Sequence, residues 1–545
     1  MERAVYERER RGYWSAALPC ALEKYGIPVT CVEAGALADP AMVERHTVIL
    51  VARQPPGVWD ESLVHRLSAL AGGAVVEGPV PAVVADHLGV RDLGAADATG
   101  AFQVLAPALR AAGVAHGAIP GGVLGVGTSR PVDLDAEQRW PATPAPLSER
   151  QAVAWRQRGW DARRWSLSDP DATVLADWIA SGPDHARHPG IVQRDGLIGC
   201  CAGIYAFLGQ SHTIAPYEGG EHRTWPRTAS LEALLLGLID LLYARAKRTR
   251  MRLLPWPAGY SWSMHVRHDV DRPPASRHTA AIAARHRAAG VCATWYWRAR
   301  HLSVAGGRPT QPHDGNAALR AVADTAGHEV ALHTEGLWRG AEIERATVEA
   351  VLEQPIRGSS AHGDKTCVRF QGAPNLIWAD HQRLAYTELI SHAHSHPHRA
   401  ALLGADGEIT LTATLCLPHH ASFDRSMTPG DVLPDDVTDD AERLRRAGGL
   451  LQILNHPDIN TDELFALLSD LPDGERWNVT ASEAVDWWAR THIAGAVRLE
   501  PRDDGAWDVA ADNDVRDLQL ETRDPGGALR VQTVSLVAGG RSTLA

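Results

Sequence analysis

The chain has 545 residues, 45% of them hydrophobic and 22% charged, the composition of an ordinary folded protein too long for a single core. Its formal charge of -12, with no basic run, excludes nucleic acid as the expected main partner, and no apolar stretch approaches the ~20 residues of a membrane span. Seven cysteines without a C-x-x-C pair, behind a start (MERAVYERERRGYW) that lacks a signal peptide's apolar core, lead to the expectation of reduced thiols and a cytoplasmic location.

The first elements alternate. GIPVTCVEA and HTVILVARQ read as strands, WDESLVHRLSALAGG as a helix capped by Asp60 or Ser62, and AVVEG as a strand. This rhythm predicts a small parallel α/β domain of flavodoxin or Rossmann type over residues 1–130, without a phosphate loop. Residues 139–255 are expected to hold a Pro-rich linker, RWPATPAPLSER, and a mixed α/β segment. Within that segment LEALLLGLIDLLYARAK is read as a buried helix despite Glu232 and Asp240, and Cys200-Cys201 as core.

From Trp256 the pattern becomes regular: strand SMHVRHDV, helix SRHTAAIAARHRAAG, strand VCATWYWR, helix GNAALRAVADTAG, strand EVALHT, helix AEIERATVEAVLEQ, strand IRGSSAH. Later come helix DDAERLRRAGG, strand LLQILNH, strand WNVTA and helix SEAVDWWAR. Strands alternating with helices over 256–495 predict a distorted (β/α) barrel, and the Asp-Gly and Gly-Gly turns of 496–545 a small all-β appendix.

In a (β/α) barrel the chemistry lies where strands end. Four predicted strands end in ligand or acid/base residues: Asp269 and Asp271, His333, His362 and His456. An Asp and two His form a facial metal set with open positions, a second carboxylate can act as base toward metal-activated water, and a further His can protonate a leaving amine. The residues alone therefore point to metal-assisted hydrolysis of an amide or ester.

RHDVD, GHEVALHTEG, SSAHGD and LQILNHPD, in this order over about 256–495, resemble the polysaccharide deacetylases with NodB homology, carbohydrate esterase family 4, and within them a subgroup whose first motif is R-H-D-V-D. The resemblance implies a distorted (β/α) barrel that removes N- or O-acetyl groups from sugars with a divalent metal. It implies Asp269 as catalytic base, Asp271 and His333 as metal ligands, and His456 as general acid. Two departures stand out. Val270 separates the aspartates, which the common pattern places side by side, and Leu337 occupies the position where a second metal histidine would follow His333. His362 is the expected third ligand instead, because the next strand ends there, with His394 or His420 as its competitors.

Other features carry less. The alternating His392, His394, His396 and His398 read as a loop rather than a chelate; His419, His420 and Asp424 are candidates for substrate contact; Trp487 and Trp488 read as core before sugar-stacking. The expected activity is zinc-dependent N-deacetylation of an amino sugar in the cytoplasm, with no nucleic-acid partner and no assigned substrate-binding residue. The competing readings are an amidohydrolase acting on a formamide or non-sugar amide, and an inactive carbohydrate-binding or scaffold barrel.

Overall fold

The computed structural model describes residues 18–109, 123–125, 162–214, 229–362, 373–422 and 441–544, short stretches within these ranges excepted. The Pro-rich linker at 139–150 lies outside the described residues, as do Leu337, His392, His419, His420 and Asp424.

The N-terminal sheet has seven strands: β1 (Val48–Val51), β2 (Gly73–Val76), β3 (Gly100–Val104), β4 (Val123–Gly125), β5 (Thr173–Ala180), β6 (Arg187–Arg194) and β7 (Leu197–Cys200), in the order β1-β2-β7-β6-β5-β3-β4. Only β1–β2 and β2–β7 pair in parallel; the other neighbours are antiparallel, so the expected parallel domain is a mixed sheet. The reason lies beyond residue 130. The hairpin of β6 and β7 turns at Asp195, which holds a positive φ, and returns β7 beside β2. Residues of the 1–130 and 139–255 segments thus share one sheet and one core, covered by the helix Ala229–Arg245.

The larger sheet contains β8 (Trp262–Val270), β9 (Ala293–Trp297), β10 (His328–Thr334), β11 (Gly358–Ala361), β12 (Tyr386–Glu388), β13 (His398–Leu403), β14 (Ile409–Leu417), β15 (Ala421–Ser422) and β16 (Leu450–Asn455). Its order is β13-β14-β12-β11-β10-β9-β8-β16-β15, with Thr213–Ile214 added beside β13 and Arg476–Asn478 beside β8. All pairs from β14–β12 through β16–β15 are parallel, and among the described strands the path does not close. The expected barrel is thus not confirmed: the described strands form an open, mostly parallel sheet, with β13 antiparallel to β14.

Strand alternation sorts the side chains. On β8, Trp262, Met264, Val266 and Val270 pack into the hydrophobic core, while His265, Arg267 and Asp269 point to the opposite face; all nine strand residues are buried. A strand buried on both faces is the rule in parallel sheets, yet here one face is polar. Tyr296, Glu329, Tyr386, Glu388 and Gln452 join that polar interior from β9, β10, β12 and β16. Gly358 makes room for it: a Cβ there would lie 2.0 Å from the Tyr386 ring.

The C-terminal appendix is not self-contained. Its strand Val515–Arg523 pairs with Arg250–Leu253, which precedes β8, and Arg250 bridges Asp240 (2.6 Å) and Glu521 (2.9 Å). No helix among the described residues is long and apolar enough to cross a membrane.

The N-terminus also grips the large sheet. Glu23 takes both arms of Arg399 (3.0 and 2.7 Å), Lys24 forms a fully buried ion pair with Glu232 at 2.5 Å, and Tyr25 meets His396 edge-on. A chain starting at Ser148 would lose β1 to β4, the core residues they supply beneath the helix Ala229–Arg245, and the Lys24 partner of Glu232. It is expected to be insoluble or to lack a cooperative thermal transition. A soluble, cooperatively folded product on size exclusion and calorimetry would show that the two modules are independent.

Candidate metal centre

The C-terminal ends of five neighbouring parallel strands supply the site, where strand ends and loops of α/β sheets bind ligands. Register does the placing. β8 pairs with β16 (His268 opposite Asn455) and with β9 (Val270 opposite Trp297), so Asp271, Arg298 and His456 each follow the end of adjacent strands. β9 pairs with β10, and β10 with β11, where His333 stands opposite Ser360. His362, one residue past β11, is held by its own N–H on the Thr334 carbonyl (2.8 Å).

Among the described residues, the donor atoms of Asp271, His333 and His362 form the group spaced to hold a metal ion, all within 4.8 Å of one another. His333 Nε2 lies 3.1 Å from Asp271 Oδ1, and His362 Nε2 lies 3.2 Å from Asp271 Oδ2. Asp271 Oδ1 is buried and has no hydrogen bond of acceptable geometry, although His333 is so near. His333 is oriented from behind: Nδ1 pairs with Ser360 Oγ at 2.8 Å, which leaves Nε2 to the site when the proton is on Nδ1. One carboxylate, two imidazoles and an orienting hydroxyl fit a small divalent cation of zinc type.

Burial works to raise the pKa of Asp271, but the close imidazoles of His333, His362 and His456 hold it far below the usual carboxylate range. His456 Nε2 is 3.0 Å from Asp271 Oδ2, so it touches the donor set without belonging to its closest group. Asp269 is more deeply placed. Arg267 grips both its oxygens, Nε to Oδ1 at 2.6 Å and Nη2 to Oδ2 at 2.7 Å, and Oδ2 is 3.5 Å from His333 Nε2. Burial pushes its pKa up; the charge of Arg267, His333 and the Arg267 hydrogen bonds outweigh that and bring it down to about 2.

Three groups escape a reading of the sequence. Arg298 places Nη1 3.2 Å from both the Asp271 carbonyl and His362 Nε2, so a cation already sits on the donor side of His362. Glu335 pairs with Arg298 and, at 3.5 Å, with Arg300. Glu388 meets Arg267 from the far side at 2.6 Å. Arg267 was within reach of sequence reasoning, since positions 267, 269 and 271 share one side of an extended strand. Arg298 and Glu388 follow from register, which one strand's residues do not reveal.

The weaker candidates separate from the site. The His394 and His398 rings pack at a tilt with their centroids 3.9 Å apart, His396 pairs with the Gly448 carbonyl, and all three are buried in packing. Trp487 and Trp488 are buried too, Trp488 against Trp256 and His492.

No family model and no curated protein matches the chain. Solved structures similar to it are polysaccharide deacetylases of carbohydrate esterase family 4 and related proteins. A protein from Mycobacterium smegmatis assigned as a polysaccharide deacetylase is 15% identical, with 43% of this chain and 92% of that one covered at a TM-score of 0.31. A family 4 pseudoenzyme from Bacillus anthracis is 12% identical over 43% of this chain and 67% of that one (TM-score 0.28). The catalytic domain of a peptidoglycan N-acetylglucosamine deacetylase from Eubacterium rectale is 10% identical over 40% and 89% (TM-score 0.25). None of these three reaches a TM-score of fold-level likeness, so the chemistry is derived from the residues themselves.

Proposed function

We propose that the chain is a metal-dependent hydrolase that removes an N-acetyl group from an amino sugar, as a polysaccharide deacetylase does. The observation that carries this reading is the convergence of Asp271, His333 and His362 beside a second, fully buried carboxylate, Asp269. A divalent cation held there would polarise the amide carbonyl and make water more acidic. Asp269, ionised at neutral pH, takes the proton from the attacking water. His456, about a quarter exposed, gives a proton to the departing amine nitrogen. Asp271, His333 and His362 hold the cation. The test is cation content of the purified protein followed by acetate release from N-acetylglucosamine oligosaccharides and formate release from simple formamides; turnover of formamides alone would make it an amidohydrolase of another substrate class.

Asp269→Asn should keep the cation and lose most turnover, whereas Asp271→Asn should lose the cation as well. Equal cation retention in both variants would contradict these roles. For His456→Ala, kcat should fall by about 10²–10⁴-fold, less on aryl acetates, whose leaving groups need little protonation. The 3.0 Å contact with Asp271 favours a second reading, in which His456 is a fourth ligand. Loss of cation from His456→Ala would select it.

A further inference from the structure

Arg267 is the link between the site and a buried network that the reaction above does not use. Its guanidinium is almost wholly enclosed and has two faces of contact: Nε and Nη2 hold Asp269, and Nη1 holds Glu388 Oε2 at 2.6 Å. Glu388, at the end of β12 and fully buried, also accepts hydrogen bonds from the Tyr296 hydroxyl on β9 and the Gln452 amide on β16. Three donors converge on this carboxylate from three strands, and His265 Nδ1 stands 3.8 Å away. Three donors on one carboxyl group suit its ionised form.

We propose that Glu388 is a positioning residue for Asp269, acting through Arg267. Arg267 and Asp269 lie two residues apart on the same strand, so their fork-to-fork pair fixes the two side chains relative to each other but not relative to the neighbouring strands. Glu388 supplies the missing reference. By holding Nη1 from across the interior, it sets the plane of the guanidinium, and a bidentate guanidinium sets the plane of the carboxylate it grips. Asp269 Oδ2 is thereby kept 3.5 Å from His333 Nε2, on the side where water would be activated. Tyr296 and Gln452 hold Glu388 in turn, so the orientation of one carboxylate is referred to four strands.

This inference rests on reading Asp269 as the base, and two measurements separate them. The first is kinetic: in cation-loaded protein hydrolysing 4-nitrophenyl acetate, Glu388→Gln should lower kcat by about 10–100-fold, the usual effect of an outer-shell partner, with KM and cation affinity unchanged. In an Asp269→Asn background the same substitution should cause no further loss. The second needs no activity. Crystal structures of the unsubstituted protein and Glu388→Gln should show the Asp269 carboxylate turned away from its Arg267-bound plane in the variant. If Glu388→Gln fails to fold, Tyr296→Phe, which removes one donor from Glu388, should turn the carboxylate in the same sense. An unmoved Asp269 carboxylate, or an undiminished additional loss in the Asp269→Asn background, would overturn the proposal. Failure of wild-type turnover with the carboxylate shift present would instead fault the proposed reaction.

Discussion

Replacing His362 by alanine is expected to lower affinity for a divalent cation at least about 100-fold, since even outer-shell partners of a metal are worth 10–100-fold. His362 is one of three converging donors, and a catalytic zinc site ordinarily keeps three protein ligands. The substitution should be clean. The side chain lies past the end of β11, 27% exposed, and its recorded neighbours are Asp271, Arg298, Glu335 and the ring of His333 rather than core residues. The fold should therefore survive with a melting temperature close to the parent's, because the backbone bond to Thr334 is kept. Zinc titration against a chromophoric chelator reads the affinity directly. Unchanged affinity would remove His362 from the donor set and leave His456 as the neighbour to examine.

Acidification from pH 7 to 5 should strip most of the protein's stability. Burial brings the pKa of His265, His268, His398 and His492 down to about 3 each, with Arg267 adding to the effect at His265 and Lys24 at His398. In the unfolded chain these imidazoles titrate near their ordinary value of ~6.5. Below that value the unfolded state binds protons that the folded state refuses, so stability falls as pH falls, by about 1.4 kcal/mol per pH unit for each group until the folded pKa is reached. At pH 5 the four together amount to about 8 kcal/mol, comparable to the whole stability of a typical domain. The depressed carboxylates act elsewhere. Asp269 and Glu521, with pKa values of about 2, lose their contribution only as pH drops from the ordinary carboxylate range toward 2. Glu329 and Glu388, raised by burial, oppose the histidines in part. A thermal-shift series should show the melting temperature dropping steeply below pH 6.5; a flat profile between pH 7 and 5 would mean that these histidines are not buried neutral.

The Asp271, His333 and His362 cluster was legible as a candidate because each residue sits at or just past the end of a buried strand. LLQILNH reads as a mostly apolar buried strand and SMHVRHDV as an alternating one, and polar residues at the C-terminal end of such strands lie where parallel sheets place ligands. What stayed hidden depends on which strand lies beside which. Nothing local to YTE says that Glu388 will face Arg267 across the interior, 121 residues away in sequence. Nor does the composition of residues 1–130 show that β2 takes β7 as its neighbour, or that Lys24 closes on Glu232. Whether the large sheet closes is equally a long-range property: each strand reads the same whether or not the ring is completed.

The ladder between β10 and β11 gives His333 and His362 a shared mechanical frame. His333 sits opposite Ser360 in register, and His362 is tied by its amide to Thr334, so both imidazoles are anchored to adjacent rungs of one central pair of strands. Hydrogen bonds at the centre of a sheet open only in large-scale unfolding, far more rarely than surface loops rearrange. The distance between these two donors is therefore a stiff coordinate, present before any cation arrives. If a cation binds as proposed, its capture would favour ions whose size matches a spacing already set.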